Sequence, residues 1–326
     1  MTTTAEAQGP TLAPSAPRRV LIPALLFAAL ALAPFAARFG AEGFILSLLS
    51  RAMIFGIAAL SLDLILGYGA LVSFGHAAFL GIGAYAVGIL ASHGTEEIAL
   101  QIPVAIAASA LFALVTGAVS LRTKGVYFIM ITLAFGQMLF FLATSLAPYG
   151  GDDGLTLPGR SLLFGARALA GDVSFYYAVL LCLLGAYLLC RSIVASRFGR
   201  VLRGTRENAT RMEAIGFSPY RFQLAAYVVA GSICGLAGAL LANQSEFVSP
   251  AYMTWQRSGE LIVMVILGGL GTLHGAILGA AACLLVEELL SGWTEHWKMI
   301  FGPLLILVVL FARGGLLGFL RGQARG

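Results

Sequence analysis

Seven long apolar runs, at 20–37, 44–66, 69–91, 98–121, 125–146, 175–190 and 222–242, follow one another along this chain with mostly short polar segments between them. Crossing a hydrocarbon core of about 30 Å takes roughly 20 mainly apolar residues as an α-helix, and most of these runs reach that length. Lipid offers no partner to an exposed peptide group, so only helices and closed barrels can span a bilayer; continuous runs, rather than alternating ten-residue ones, select helices. Composition agrees, because 11% of the residues are charged and 59% are hydrophobic, whereas a soluble surface normally needs roughly a quarter charged residues. From Glu260 to Leu290 the chain stays apolar, but "GGLGTLHG" (Gly268 to Gly275) cuts the run into two short halves, and a last run follows at Met299 to Ala312. Counting both halves as crossings predicts an all-α polytopic membrane protein of about ten spans, within a range of eight to eleven.

Charge asymmetry orients the spans, since Lys and Arg in short loops collect on the cytoplasmic side. With the N-terminus inside, fourteen of the twenty basic residues fall in cytoplasmic segments and five (Arg38, Arg160, Arg167, Arg257, Lys298) outside, with Arg51 near one end of the second run. Both termini are therefore expected in the cytoplasm. The division that follows is a disordered tail at 1–19, a single transmembrane domain at 20–312 and a basic tail at 313–326. Outer loops are expected at 147–174 and 243–258, and a cytoplasmic loop at 191–221. Arg18 and Arg19 before "APFAARFG" also resemble a secretory signal, but an 18-residue apolar run is long for one, so the first helix is expected to be retained.

Several chemistries lack their residues. A P-loop needs Gly-Lys-Ser/Thr to reach phosphates and Mg²⁺, yet Lys124 precedes Gly125 and Lys298 precedes Met299, and these are the only lysines. No grouped nucleophile and base suggests an enzyme. Cys182, Cys190, Cys234 and Cys283 have neither metal spacing nor a CxxC pair and read as packing residues. Intramembrane ionisable residues are few: Asp63, His76, His274, Glu287 and Glu288. Asp63 is either a proton relay or a paired carboxylate near the turn "GYG", and the histidines read as imidazoles bonded to neighbouring helices, not as a metal site. Asp152 and Asp153 in "GGDDG" are too few for a cation site and read as a turn or a docking contact.

Forty glycines in such a chain point to close helix packing, with Gly231 and Gly235, and Gly271, Gly275 and Gly279, at helical spacing. Dense glycine at 268–275 leaves two readings open: a broken or re-entrant element near a solute pathway, or a tight cytoplasmic turn between two helices. Between Cys190 and Phe222 the chain carries seven Arg and two Glu. Arg206 to Ile215 suits a short amphipathic helix, with Ala209, Met212 and Ile215 on one side, Gly216 as its stop and Pro219 beyond. It lies either on anionic lipid or against a protein partner, which the mixed signs favour.

"LDLILGYGALVSFGHAAFLGIGAY" (62–85), "GVYFIMITLAFGQML" (125–139), "GGDDGL" (150–155), "SRFGRVLRGTRENATRMEAIGF" (196–217), "AGSICGLAGAL" (230–240) and "GGLGTLHGAILGA" (268–280) occur here in order. Together they resemble the inner-membrane permeases of ATP-driven branched-chain amino acid importers, of the LivM type. The resemblance implies a bacterial inner-membrane subunit that binds no cofactor and no nucleic acid. Its implied partners are a second, LivH-like permease, two ATPase subunits that use ATP and Mg, a periplasmic solute-binding protein and membrane lipid. It also implies that Arg203, Arg206, Glu207, Asn208, Arg211, Glu213 and Gly216 couple this chain to an ATPase. Asp63, Ser73, His76, Gly268, Gly269, Gly271 and His274 would line the pathway or pack beside it, and Asp152 and Asp153 would meet the binding protein. Asp63 departs from the pattern, in which Asn is expected. Alternating access is the implied mechanism, for leucine, isoleucine and valine or for urea, amides and small aromatic or carboxylate solutes; a stand-alone secondary carrier using Asp63 is the competing expectation.

Overall fold

The structure is a computed structural model that describes residues 16–37, 42–163, 165–293, 296, 299–300 and 302–303. Most of the expected last span at 299–312, and the basic tail, lie outside the described residues. The described residues are mostly helical: α1 (Ala16–Ala37), α2 (Glu42–Leu66), α3 (His76–Ser92), α4 (Ile98–Ser120), α5 (Val126–Ser145), α6 (Asp172–Ala195), α7 (Arg197–Glu207), α8 (Ala209–Ala214), α9 (Pro219–Ser245), α10 (Trp255–Gly268) and α11 (Leu273–Ser291). Six stretches among the described residues are long and apolar enough to cross a membrane, namely 43–66, 98–120, 126–145, 172–195, 219–245 and 273–291, and 21–35 and 76–92 are shorter apolar helices.

The run at 69–91 is not one span. A turn occupies its first part and helix begins at His76, leaving 17 residues, because the GYG segment closes α2 with Gly67 N–H donating to the Asp63 carbonyl at 2.8 Å and Gly69 N–H to that of Ile65 at 3.1 Å. Nor is α10 a full crossing by itself: its 14 residues make about 21 Å of helix, short of a 30 Å core. Between Gly268 and Leu273 lies a tight turn that folds α10 back on α11 as a hairpin. Gly271 belongs to that turn, with φ +72°, and so leaves the helix face it was expected to share with Gly275 and Gly279.

The centre of the bundle is α9, which packs against α2, α3 and α4; α2 also meets α6, α10 and α11. Lipid supplies no hydrophobic drive for helices to associate, so close backbone approach must. A Cβ on Gly83 would lie 2.0 Å from the Gly235 carbonyl oxygen, and one on Gly238 1.9 Å from that of Leu80. Substituting either would push α3 and α9 apart. Around this seam α2 is buried almost completely from Met53 to Ile65.

The connections gather at two ends. At one, β1 (Leu155–Thr156) pairs antiparallel with β2 (Phe247–Val248), and the Ile98 N–H donates to the Leu162 carbonyl at 2.9 Å, so the segments after α3, α5 and α9 lie together. At the other, the Tyr220 hydroxyl donates to the Ala118 carbonyl at 3.0 Å, and the α2–α3, α4–α5, α6–α9 and α10–α11 connections meet.

Candidate functional site

The second end holds most of the residues singled out by sequence. Ser196 caps α7, its hydroxyl accepting from the Gly199 N–H at 3.4 Å. Gly199, Val201, Leu202 and Thr205 are buried, while Arg203, Arg206 and Glu207 are exposed, so α7 carries the amphipathic face. The helix expected over Arg206–Ile215 is instead two helices that break at Asn208, where the backbone is extended (φ −158°, ψ 100°) and the side-chain Oδ1 accepts from the Arg211 N–H at 2.8 Å. Asparagine competes with the backbone for hydrogen bonds and favours such caps, which outweighed the helical spacing of Ala209, Met212 and Ile215. Arg206 and Glu207 therefore end α7, and Ile215 lies past the end of α8.

Gly216 does stop α8, with φ +94°. Phe217 N–H donates to the Met212 carbonyl at 3.0 Å and Gly216 N–H to that of Glu213 at 2.9 Å, the paired bonds of a Schellman ending. Met212 folds back over Gly204, where a Cβ would meet its sulfur at 2.7 Å. Phe198 and Phe217 stack against Phe222 at the start of α9, with ring centroids 5.4 and 6.0 Å away. The corner is thus fixed to the bundle, while Arg211, Glu213 and Ile215 face outward.

Two arginines connect this corner to the membrane helices. Arg203 donates to the Val194 carbonyl at 3.1 Å, closing the end of α6. Arg206 donates through Nη1 to the Gly67 carbonyl in the α2–α3 turn. One turn deeper, Asp63 is fully buried and its Oδ1 accepts from the Gly271 N–H at 2.8 Å, and Arg206 lies within electrostatic reach of it. A Cβ on Gly67 would fall 2.2 Å from that oxygen and 2.5 Å from the Gly271 nitrogen. Three elements, the α7–α8 corner, the end of α2 and the α10–α11 turn, are therefore joined at one node. Above it a cavity of about 300 Å³ opens, bordered by Val72, Lys124, Thr205, Arg206, Glu213 and Gln223.

Gly67 was missed from sequence, because what it contributes is a carbonyl and an absent side chain. Of the other expected pathway residues, Gly268 and Gly269 border the α10–α11 turn of the node. Ser73, in the α2–α3 connection, and His76, at the start of α3, are buried. His76 Nε2 sits 2.8 Å from Ser61 Oγ; that hydroxyl already donates to the Ala58 carbonyl, so it accepts from Nε2–H. Ala77 N–H donates to Ser258 Oγ at 3.0 Å. His274 is half-buried in the first turn of α11, and Gly268 and Gly269 end α10. Asp152 and Asp153 are exposed at the opposite end, in a turn between positive-φ glycines 151 and 154.

The sequence comparisons give the class of this helical bundle. Residues 44–310 match the family described as branched-chain amino acid transport system / permease component, and the chain belongs to that family, as a multi-pass membrane protein. Its relatives include the high-affinity branched-chain amino acid transport system permease protein LivM of Escherichia coli (strain K12), 28% identical over 84% of this chain and 70% of that protein. The probable branched-chain amino acid transport permease protein LivM of Methanocaldococcus jannaschii is 25% identical over 80% of this chain and 89% of its own. A LivH permease protein of the same E. coli strain is 26% identical over 51% of this chain and 53% of its own. No solved structure matches the chain.

Proposed function

We propose that this chain is the LivM-like permease subunit of an ATP-driven, binding-protein-dependent importer in a bacterial inner membrane. It would form half of a pathway for leucine, isoleucine and valine, opened by alternating access. The observation that carries the reading is the node just described, which leaves Arg203, Arg206, Glu207, Asn208, Arg211 and Glu213 exposed on a corner whose inner side is bonded to α2, α6 and, through Asp63, to the α10–α11 turn. A push on that corner from a cytoplasmic partner reaches three membrane elements through hydrogen bonds and packed side chains, which is what a mechanically driven switch requires. The partner is an ATPase pair that binds ATP and Mg, in keeping with the permease family to which the chain belongs. A LivH-like permease supplies the other half, and a periplasmic binding protein delivers solute near Asp152 and Asp153. Both termini are cytoplasmic and about ten helices cross.

Alkylation and cross-linking test the contact. In the co-expressed complex, Thr210→Cys is expected to cross-link to the ATPase subunit; a Thr210→Cys that reacts only with lipid-borne reagents would put α8 on the membrane surface and refute the coupling role. Calorimetry on the co-purified binding protein decides the solute: tight leucine binding supports the reading, and tight urea binding replaces it.

A further inference from the structure

A second polar cavity, of about 270 Å³, lies at the opposite end of the bundle among α2, α9 and α10. Ser47, Arg51 and Phe55 reach it as one i, i+4, i+8 stripe of α2, with Gln244 from α9, Tyr252 and Arg257 completing its wall. Arg51 stands eight residues inside the apolar span that begins at Gly43, about 12 Å along the helix. A guanidinium at such depth does not face lipid; it faces protein or a water-filled space. Both arginines converge on one ring, with guanidinium carbons 5.9 Å (Arg51) and 5.8 Å (Arg257) from the Phe55 centroid.

Neither arginine is used up by its neighbours. A guanidinium has five N–H donors. Arg51 reaches Glu287 only at 3.7 Å, and Arg257 holds Glu260 with one contact at 2.7 Å. Gln244 Nε2 donates to the Ser47 carbonyl at 2.8 Å, which fixes the orientation of the amide. Its Oε1 is shut off from the cavity, so the amide serves as wall and not as a ligand. Forked donors for a carboxylate and the apolar surface of Phe55 and Leu241 are arranged around a space of single-solute size.

We propose that this cavity is the solute site of the outer half of the pathway. Arg51 and Arg257 take the carboxylate of the solute, and Phe55 and Leu241 face its alkyl chain. The site rests on the importer reading and adds to it a place where the chain itself selects carboxylates, after the binding protein has released them.

The test uses the full complex in proteoliposomes, with the binding protein outside, ATP in the lumen and radiolabelled leucine as probe. Arg257→Gln is expected to lower uptake at least tenfold while ATP hydrolysis stimulated by the binding protein stays within twofold, and Arg257→Lys to recover part of the loss. Assembled variants that transport like wild type refute the site. So does joint loss of uptake and stimulated hydrolysis, which makes the arginines a docking contact for the binding protein. Absence of leucine uptake by the wild-type complex refutes the importer reading itself, and the site with it.

Discussion

Two replacements of one buried side chain separate a mechanical from a charge-carrying role for Asp63. Its Oδ1 holds the Gly271 N–H at 2.8 Å across 208 positions of sequence, and its Oδ2 is buried without a partner. Asp63→Ala leaves that N–H without an acceptor, at a cost of about 1–3 kcal/mol. Relief from burying an under-bonded carboxyl offsets part of this, so a net loss of about 1–2 kcal/mol is expected. Asp63→Asn keeps the acceptor oxygen in place and exchanges one unpartnered group for another, a neutral amide NH2 for the second oxygen, and should stay within about 1 kcal/mol of wild type. The measurements are equilibrium unfolding in mixed micelles and ATP-dependent uptake by the reconstituted complex. Alanine is expected to lower both, with uptake down at least fivefold because the α10–α11 turn is no longer held to α2; asparagine is expected to keep uptake within about threefold. If asparagine folds normally but transports nothing, the charge itself is the working group and the pin is the wrong account. If alanine matches wild type in both assays, the hydrogen bond transmits nothing.

Four further outcomes follow from the same geometry. Asn208→Ala removes the cap of α8 and should cost about 1 kcal/mol, seen as roughly fivefold faster hydrogen exchange over 209–214 with the rest of the chain unaltered. Gly238→Ala places a Cβ 1.9 Å from the Leu80 carbonyl; with a backbone atom as the obstacle, α3 and α9 must separate, and accumulation of folded protein should fall severalfold, as overpacking costs of about 1–3 kcal/mol imply. Glu213→Arg reverses a charge on the exposed face of α8 and is expected to abolish uptake while membrane insertion and melting stay at wild-type values; normal uptake with normal ATPase co-purification would refute the contact. Asp172→Ala breaks the ion pair with Arg160 at 2.7 Å, but the carboxylate is half-exposed, so the loss in unfolding free energy should stay below about 1 kcal/mol.

The lipid-spanning architecture was legible because hydropathy is a bulk property: α2, α4, α5 and α9 begin and end within a few residues of the apolar runs that predict them. What the runs concealed is local hydrogen-bonding chemistry. Gly69 to Gly75 is as apolar as the helix that follows, yet α2 closes on its own carbonyls there and α3 starts only at His76. Asn208 sits where an amphipathic pattern wants a helical residue, and its side-chain cap breaks the pattern. Gly216 was readable, since a left-handed stop after a short helix calls for glycine. The node was not, because Arg206 reaches a backbone carbonyl and Asp63 a backbone N–H, and neither partner has a side chain to signal it. The two arginines that converge on Phe55 come from α2 and from the first turn of α10, and only the packing of those helices brings them together.

Uptake into proteoliposomes holding the complete complex tests the central claim most directly. Labelled leucine should enter only when ATP and Mg are present in the lumen and the binding protein outside, with no response to an imposed proton gradient, and Glu213→Arg should abolish it. Uptake driven by a proton gradient without ATP, and lost in Asp63→Asn, would contradict the account and make the chain a secondary carrier.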